Sequence, residues 1–202
     1  MIELLTHPLS TFGRRVEIAL NEKQVEYKLT VVDMPAREHR GEAFRALNPY
    51  GRVPVLRHDG FVLYESAAIL CYLDAIHPEP PLMPADAQNR ALVDMHLRLC
   101  DLEFATKATR MIFPRRFMPP ERWDREAQAA TKAELERHLA IVAQQLGEAD
   151  YLVAGRFTLA DIAYLPFLEF LPLLEIEPAA AVARWAERLS ERPSSVKTRP
   201  AH

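Results

Sequence analysis

The stretch PLSTFGRRV, Pro8 to Val16, sets a hydroxyl pair, Ser10 and Thr11, and an arginine pair, Arg14 and Arg15, where a short strand hands over to a helix. A hydroxyl at a helix start can do two things. Its oxygen can accept from an orphan backbone amide as a cap, or its proton can be given to an anion drawn to the positive end of the helix. Local sequence leaves both roles open for Ser10 and for Thr11. The two arginines are adjacent in a helix and cannot both face one ligand. One is expected to pair with a carboxylate of another domain and the other to be solvated. A second helix start, Glu65-Ser66 ahead of an apolar run, offers either a serine cap or free amides suited to a carboxylate.

Other chemistries find less support. The six glycines are scattered, so neither a dinucleotide fingerprint nor a phosphate-cradling loop can be assembled. Cys71 and Cys100 stand singly in apolar, helix-like stretches and read as small core residues. His96 and His138, on helices, read as packing or surface residues, and no spacing of a metal site is evident. A formal charge of -3 supplies no field for gathering phosphate backbones, so nucleic acid is not an expected partner. The opening MIELLTHPL lacks a positive segment followed by a signal-length apolar run. The longer apolar tracts elsewhere are interrupted by Glu65, Asp74, Asp161 and Glu169. Neither secretion nor membrane spanning is expected, and a cytoplasmic location is.

The elements that must position these residues follow from periodicity. Residues 2–6 read as a strand, and Phe12, Val16, Ala19 and Leu20 fall on one helix face. VEYKLTVV alternates as a strand does. VPVLRHDGFVLY reads as two strands turning at Asp59-Gly60, a dipeptide that tolerates positive φ. ESAAILCYLDAIH is a helix apolar around most of its girth. HPEPPLMPADA carries four prolines and reads as a linker. Beyond it the signal is helical, with an apolar stripe at Leu135, Leu139, Val142 and Leu146. Thr158 and Asp161 make a capping box, Pro166 is expected to kink the helix that follows, and the tail RPSSVKTRPAH is expected to fray. The chain of 202 residues thus divides into a β-α-β-β-β-α-type unit over 1–77, a linker over 78–87 and an all-α domain over 88–202.

PLSTFGRRVEIAL, EHRGEAFRALNPYGRVPVL, ESAAILCYL and GRFTLADI, in that order and spacing, resemble the cytosolic glutathione transferases, the first motif resembling the serine-type phi, theta and delta classes. The resemblance implies a fold of class α/β plus all-α, with a thioredoxin-like N-terminal domain that binds glutathione and a helical bundle that takes an electrophile. It implies that Ser10, or failing it Thr11, donates a hydrogen bond to the glutathione sulfur. Val53, before a cis Pro54, would pair with the cysteinyl backbone. Glu65 and Ser66 would hold the γ-glutamyl end, and His39 and Arg40 the glycyl carboxylate. Arg52 departs from the glutamine or lysine often found before this Val-Pro pair, and its contact with glutathione stays open. Phe12, Met111 and Phe113 are candidates for the electrophile pocket, against ordinary interhelical packing. Glutathione enters as co-substrate, with no metal and no permanently bound cofactor. A homodimer is implied, with Tyr50 as a contact, and the function is conjugation of glutathione to small hydrophobic electrophiles. The alternatives are a zeta-like isomerase, suggested by ALNP and PLMPAD but lacking that class's Ser-Ser-Cys run, and a non-catalytic binding protein of the same fold.

Overall fold

Four strands lie in the order β2-β1-β3-β4 in the computed structural model, which describes residues 1–200. Strand β1 (Ile2–Thr6) runs parallel to β2 (Tyr27–Val31). A parallel neighbour requires a crossover, here helix α1 (Thr11–Glu22). On its other side β1 pairs antiparallel with β3 (Val55–His58), which pairs in turn with β4 (Phe61–Tyr64). The β3–β4 turn has φ +48 at Asp59 and +89 at Gly60, the positive pair that the dipeptide predicts.

Alternation along β1 decides what each face of the sheet covers. Leu5 and Val55, directly paired, join Val32 and Phe44 of the short helix α2 (Glu42–Arg45) in one core. Helix α1 and helix α3 (Ser66–Ile76) pack together, burying Val16, Ala19 and Leu20 of one and Ile69, Leu70 and Leu73 of the other. The first three fall at i, i+3 and i+4 and the second three at i, i+1 and i+4, each set lying along one side of its helix.

The helical unit begins with α4 (Ala87–Leu99), which passes through six residues of π-helix, Cys100–Ala105, into α5 (Thr106–Phe117). Helices α6 (Arg125–Leu146), α7 (Leu159–Leu168) and α8 (Ala180–Ser190) complete it. The predicted stripe on α6 is buried throughout. The Thr158–Asp161 capping box forms, and the buried Asp161 carboxylate also accepts from the Leu152 amide (3.2 Å) and Trp185 Nε1 (2.9 Å). Burial outweighs these bonds and raises its carboxyl to about 6. Helix α7 continues through Pro166 to Leu168.

Both helix histidines are packing residues. His138 packs in a cluster with Phe104 and Tyr164, stacked on each, its Nε2 3.0 Å from the Tyr164 hydroxyl, and burial lowers its imidazole to about 4. His96 lies edge-on to Tyr164, and burial lowers it too.

Two compact units emerge, 1–82 together with 193 onward, and Met83–Arg192. This differs from the expected boundaries at both ends. The linker's first residues are tied to the sheet unit, because the buried Lys23 ammonium pairs with Asp74 and donates to the Pro80 carbonyl (2.7 Å) while Asp74 accepts from the Leu82 amide (2.8 Å). The tail is not frayed. Residues Pro193–Lys197 form α9, packed on α1. There Arg14 donates to the Ser195 carbonyl and hydroxyl (3.1 Å each), and Ser194 donates to Glu22. Ala201 and His202 lie outside the described residues. Arg14 and Arg15 are both buried, so neither is the solvated member of the pair that adjacency suggested.

The imidazole of His138 is held down in the folded state and relaxes to its ordinary 6.5 in the unfolded chain. Between those values the unfolded chain binds more protons, so the residue's contribution to stability is whole above about 6.5 and is lost as pH falls toward about 4. Urea unfolding at pH about 7 and about 5 is therefore expected to show a smaller acid-side loss for His138→Phe than for the unaltered protein. Equal losses would show that burial does not hold the imidazole neutral.

Candidate active site

Strand register brings the sequence-predicted residues to one end of the sheet. Leu5 pairs with Val55 and Val55 with Tyr64, while Thr6 pairs with Val31 of β2. The segments after β1, before β3, after β4 and after β2 therefore all emerge at that end. They carry Ser10, Val53-Pro54, Glu65-Ser66 and His39-Arg40.

After Thr6 the chain turns once, with the Ser10 amide donating to the His7 carbonyl (2.8 Å), and α1 begins. Ser10 is extended (φ -80, ψ 112) and is itself the N-cap, its Oγ accepting from the Gly13 amide at 3.0 Å. Thr11, for which local sequence left the cap role equally open, is the first helical residue. The reason is reach, since only the residue before the helix can turn its side chain onto an amide of the first turn. The cap uses an acceptor lone pair. The Ser10 proton has no acceptor among the described residues, so one hydroxyl can be a cap and a donor together.

Gly13 explains how the helix starts so near the strand. A Cβ there would stand 1.9 Å from Thr6 Oγ1. That oxygen is buried and has no hydrogen-bond partner among the described residues.

At the other helix start the geometry is inverted. Glu65, exposed and at φ +69, occupies the N-cap position of α3 but makes no side-chain cap bond. Ser66 is the first helical residue and not the cap. It is 4% exposed, and its Oγ accepts from Arg15 Nη1 at 3.1 Å. The first amides of α3 thus have no side-chain cap, the arrangement that suits a carboxylate.

Between these starts lies the Val53–Pro54 bond, which is cis. Val53 packs partly against the Leu5 core, and its amide and carbonyl make no backbone hydrogen bond among the described residues, so both are available to an extended backbone. Arg52 is exposed, and its carbonyl accepts from Asn48 Nδ2 (2.7 Å). The buried Asn48 also accepts from the Tyr50 amide (3.1 Å), so this single amide side chain shapes the loop leading to Val53. Sequence reasoning assigned Asn48 no role, although Asn-Pro within ALNPYG was the available signal.

His39 and Arg40 lie on a 3₁₀ turn, Glu38–Arg40. Gly51, at φ +60, passes so near that a Cβ would stand 2.7 Å from the His39 carbonyl, which joins this turn to the Asn48–Val53 loop. His39 Nδ1 is buried and unpartnered among the described residues. Burial, then Arg40 and Arg37, lowers the imidazole's affinity for a proton.

The aromatic candidates are dispersed. Phe12, half-buried, has the Arg15 guanidinium over its ring at 4.9 Å. Met111 is 1% exposed inside the helical unit, whereas Phe113 is 57% exposed with Phe117 beside it at 5.3 Å. Residues two apart on a helix point to different sides, so Met111 belongs to interhelical packing and only Phe113 reaches the surface.

Comparison with known proteins shows the family and the fold. The glutathione S-transferase N-terminal domain matches residues 9–76, and the C-terminal domain of the same family matches residues 105–193. A glutathione S-transferase of Silene vulgaris is 30% identical over 216 residues, covering 98% of this chain and 96% of its own. Glutathione S-transferase F7 of Arabidopsis thaliana is 28% identical, with 97% and 98% covered. The crystal structure of glutathione transferase F2 from Populus trichocarpa superposes with a TM-score of 0.88 at 27% identity, covering 98% of this chain and 97% of that one.

Glycine within a helix is ordinarily improved by alanine, by about 0.5–1 kcal/mol. Gly13→Ala is expected to do the reverse and destabilise by about 1–3 kcal/mol, because the added methyl overpacks against Thr6. Urea denaturation measures the sign, and a stabilised variant would mean that α1 does not start so close to β1.

Proposed function

Because the chain belongs to the cytosolic glutathione S-transferase superfamily, we propose that Ser10 activates glutathione for attack on a small hydrophobic electrophile. The observation that carries this reading is the Ser10 hydroxyl, which accepts from Gly13 and keeps its proton for an anion at the start of α1. A cysteinyl thiol ionises near about 8.5 and is only about 3% thiolate at pH 7. Moving it by about two units takes about 2.7 kcal/mol. A hydrogen bond to a charged acceptor contributes about 1.5–3 kcal/mol, and the helix end adds about 0.3–1 kcal/mol. Together they suffice without a general base. Chemistry then consists of forming the thiolate and holding it against the electrophilic atom.

The remaining contacts follow from what each group offers. Val53 gives its amide and carbonyl to the cysteinyl backbone. Ser66 and the first amides of α3 take the γ-glutamyl carboxylate, with Glu65 near the ammonium. His39 and Arg40 face the glycyl carboxylate, and Arg52 is a further cation beside them. In the helical unit Phe113 is the α5 residue that an electrophile meets, with Met111 supporting the helix from within. Detoxification by conjugation is the corresponding role. No described helix is long and apolar enough to cross a membrane, and Cys71 and Cys100 are not joined in a disulfide, which supports a cytoplasmic setting.

A homodimer accompanies this reading. Tyr50 is 65% exposed, with an edge contact to Tyr64 (ring centroids 6.0 Å), and is the proposed contact. Tyr50→Ala is expected to weaken self-association about tenfold or more, as loss of a central aromatic anchor does. Sedimentation over a range of concentrations measures it, and an unchanged dimer would remove Tyr50 from the interface.

For Ser10, the ultraviolet absorbance of the bound thiolate is followed against pH. Ser10→Ala is expected to raise the apparent thiol pKa by about one to two units and to lower turnover in proportion to the lost thiolate. Its stability should fall by about 1 kcal/mol through loss of the cap. If bound glutathione titrates alike in both proteins, Ser10 is a cap alone and the mechanism fails.

A further inference from the structure

We infer that Arg15 is a positioning residue for glutathione, acting from inside the protein on the γ-glutamyl end through Ser66. The inference rests on the glutathione reading above and extends it to a side chain that touches no substrate.

Arg15 is fully buried, at 0% exposure. It cannot reach a bound molecule directly. Its guanidinium has donors only, so in the 3.1 Å contact with Ser66 Oγ the serine must accept. That settles the orientation of the hydroxyl. With a lone pair held from the α1 side, the Ser66 proton is turned away from Arg15, and it has no acceptor among the described residues. Beside it stand the first amides of α3, which no side chain caps. A carboxylate at this place therefore meets an aligned hydroxyl proton and free amides, and a fixed positive charge lies behind the hydroxyl. A cation buried behind a donor acts at short range and with little screening.

The other side of Arg15 is held as well. Its guanidinium lies over the Phe12 ring at 4.9 Å, and Phe12 is two residues from Ser10 along α1. Arg15 thus ties the helix that presents the sulfur donor to the helix that presents the carboxylate donors. Ser10 decides ionisation and Arg15 decides registration of the γ-glutamyl group, so the two are separable by experiment.

The test measures binding of glutathione, and of glutathione amidated at its γ-glutamyl α-carboxylate, to the unaltered protein, Arg15→Met, Arg15→Lys, Ser66→Ala and the Arg15→Met/Ser66→Ala double variant. The unaltered protein is expected to prefer glutathione over the amide. Arg15→Met is expected to weaken glutathione about tenfold, the size of one lost charge-linked hydrogen bond, and to bind the amide about as before. The double variant should be no weaker than its weaker single parent, because one relay is being removed twice. KM for glutathione should rise with kcat within about twofold, and the thiol titration should not move. Where Arg15→Met does not fold, Arg15→Lys with Ser66→Ala completes the same cycle, the lysine retaining charge without the planar fork. Three results would overturn the inference alone: glutathione bound within twofold by a folded Arg15 variant, equal weakening of both compounds, or additive losses in the double variant. If the unaltered protein does not bind glutathione, the functional reading fails and the inference fails with it.

Discussion

The candidate site depends on one constraint, the pairing of the central strand with its neighbours. β1 is sandwiched between β2 and β3 and buries Leu4 on one face and Leu5 on the other. A slip of one residue would exchange these faces. Because Leu5, Val55 and Tyr64 are locked in one row, the chain must leave β1, enter β3 and leave β4 at the same end of the sheet. Segments separated by more than fifty positions are thereby brought to one end of the sheet, where the Arg15–Ser66 hydrogen bond also links two of them. Gly13 then lets α1 begin so close to Thr6 that the helix start is delivered to that row.

At this end two serines stand at two helix starts, and among the described residues both are engaged as acceptors. Ser10 accepts from its own helix and Ser66 from the neighbouring one. The difference has a physical consequence. Ser10 spends its lone pair on capping, so the helix and the donor geometry are stabilised by the same bond. Ser66 leaves its helix uncapped and takes its orientation from Arg15, so the amides of α3 stay open. One helix start is thus capped by its own hydroxyl, and the other keeps a group of backbone amides without a side-chain cap.

Much of this was legible in the sequence because it is local. The Asp59-Gly60 turn, the α6 stripe and the Thr158–Asp161 box are each set by residues within one turn or one hairpin, and each formed as read. The candidate site residues could be nominated only from an ordered set of motifs, and strand register then brings them to one end of the sheet. What stayed hidden was decided by partners far along the chain. Arg14 was not recognisable as buried because Ser195 and Thr198, which receive it, lie in a tail whose composition reads as frayed. The linker's attachment through Lys23 and Asp74 was hidden for the same reason. Met111 and Phe113 looked alike in sequence, and helix phase alone separated them into core and surface.

The helical unit buries two groups, Asp161 and His138, whose proton affinities burial moves in opposite directions, and this bears on how a pH profile is read. Burial raises Asp161 to about 6, so its folded form holds a proton that the unfolded form has released, and its contribution to stability declines as pH rises from about 4 toward 6. Burial lowers His138 to about 4, and its contribution grows over the same interval and up to about 6.5. The two contributions oppose one another wherever they overlap. Stability of the helical unit is therefore flatter against pH than either residue alone would make it. Above about 6.5 both groups are settled in their folded and unfolded forms alike. A change of activity with pH there does not come from the titration of Asp161 or His138 altering the stability of the helical unit.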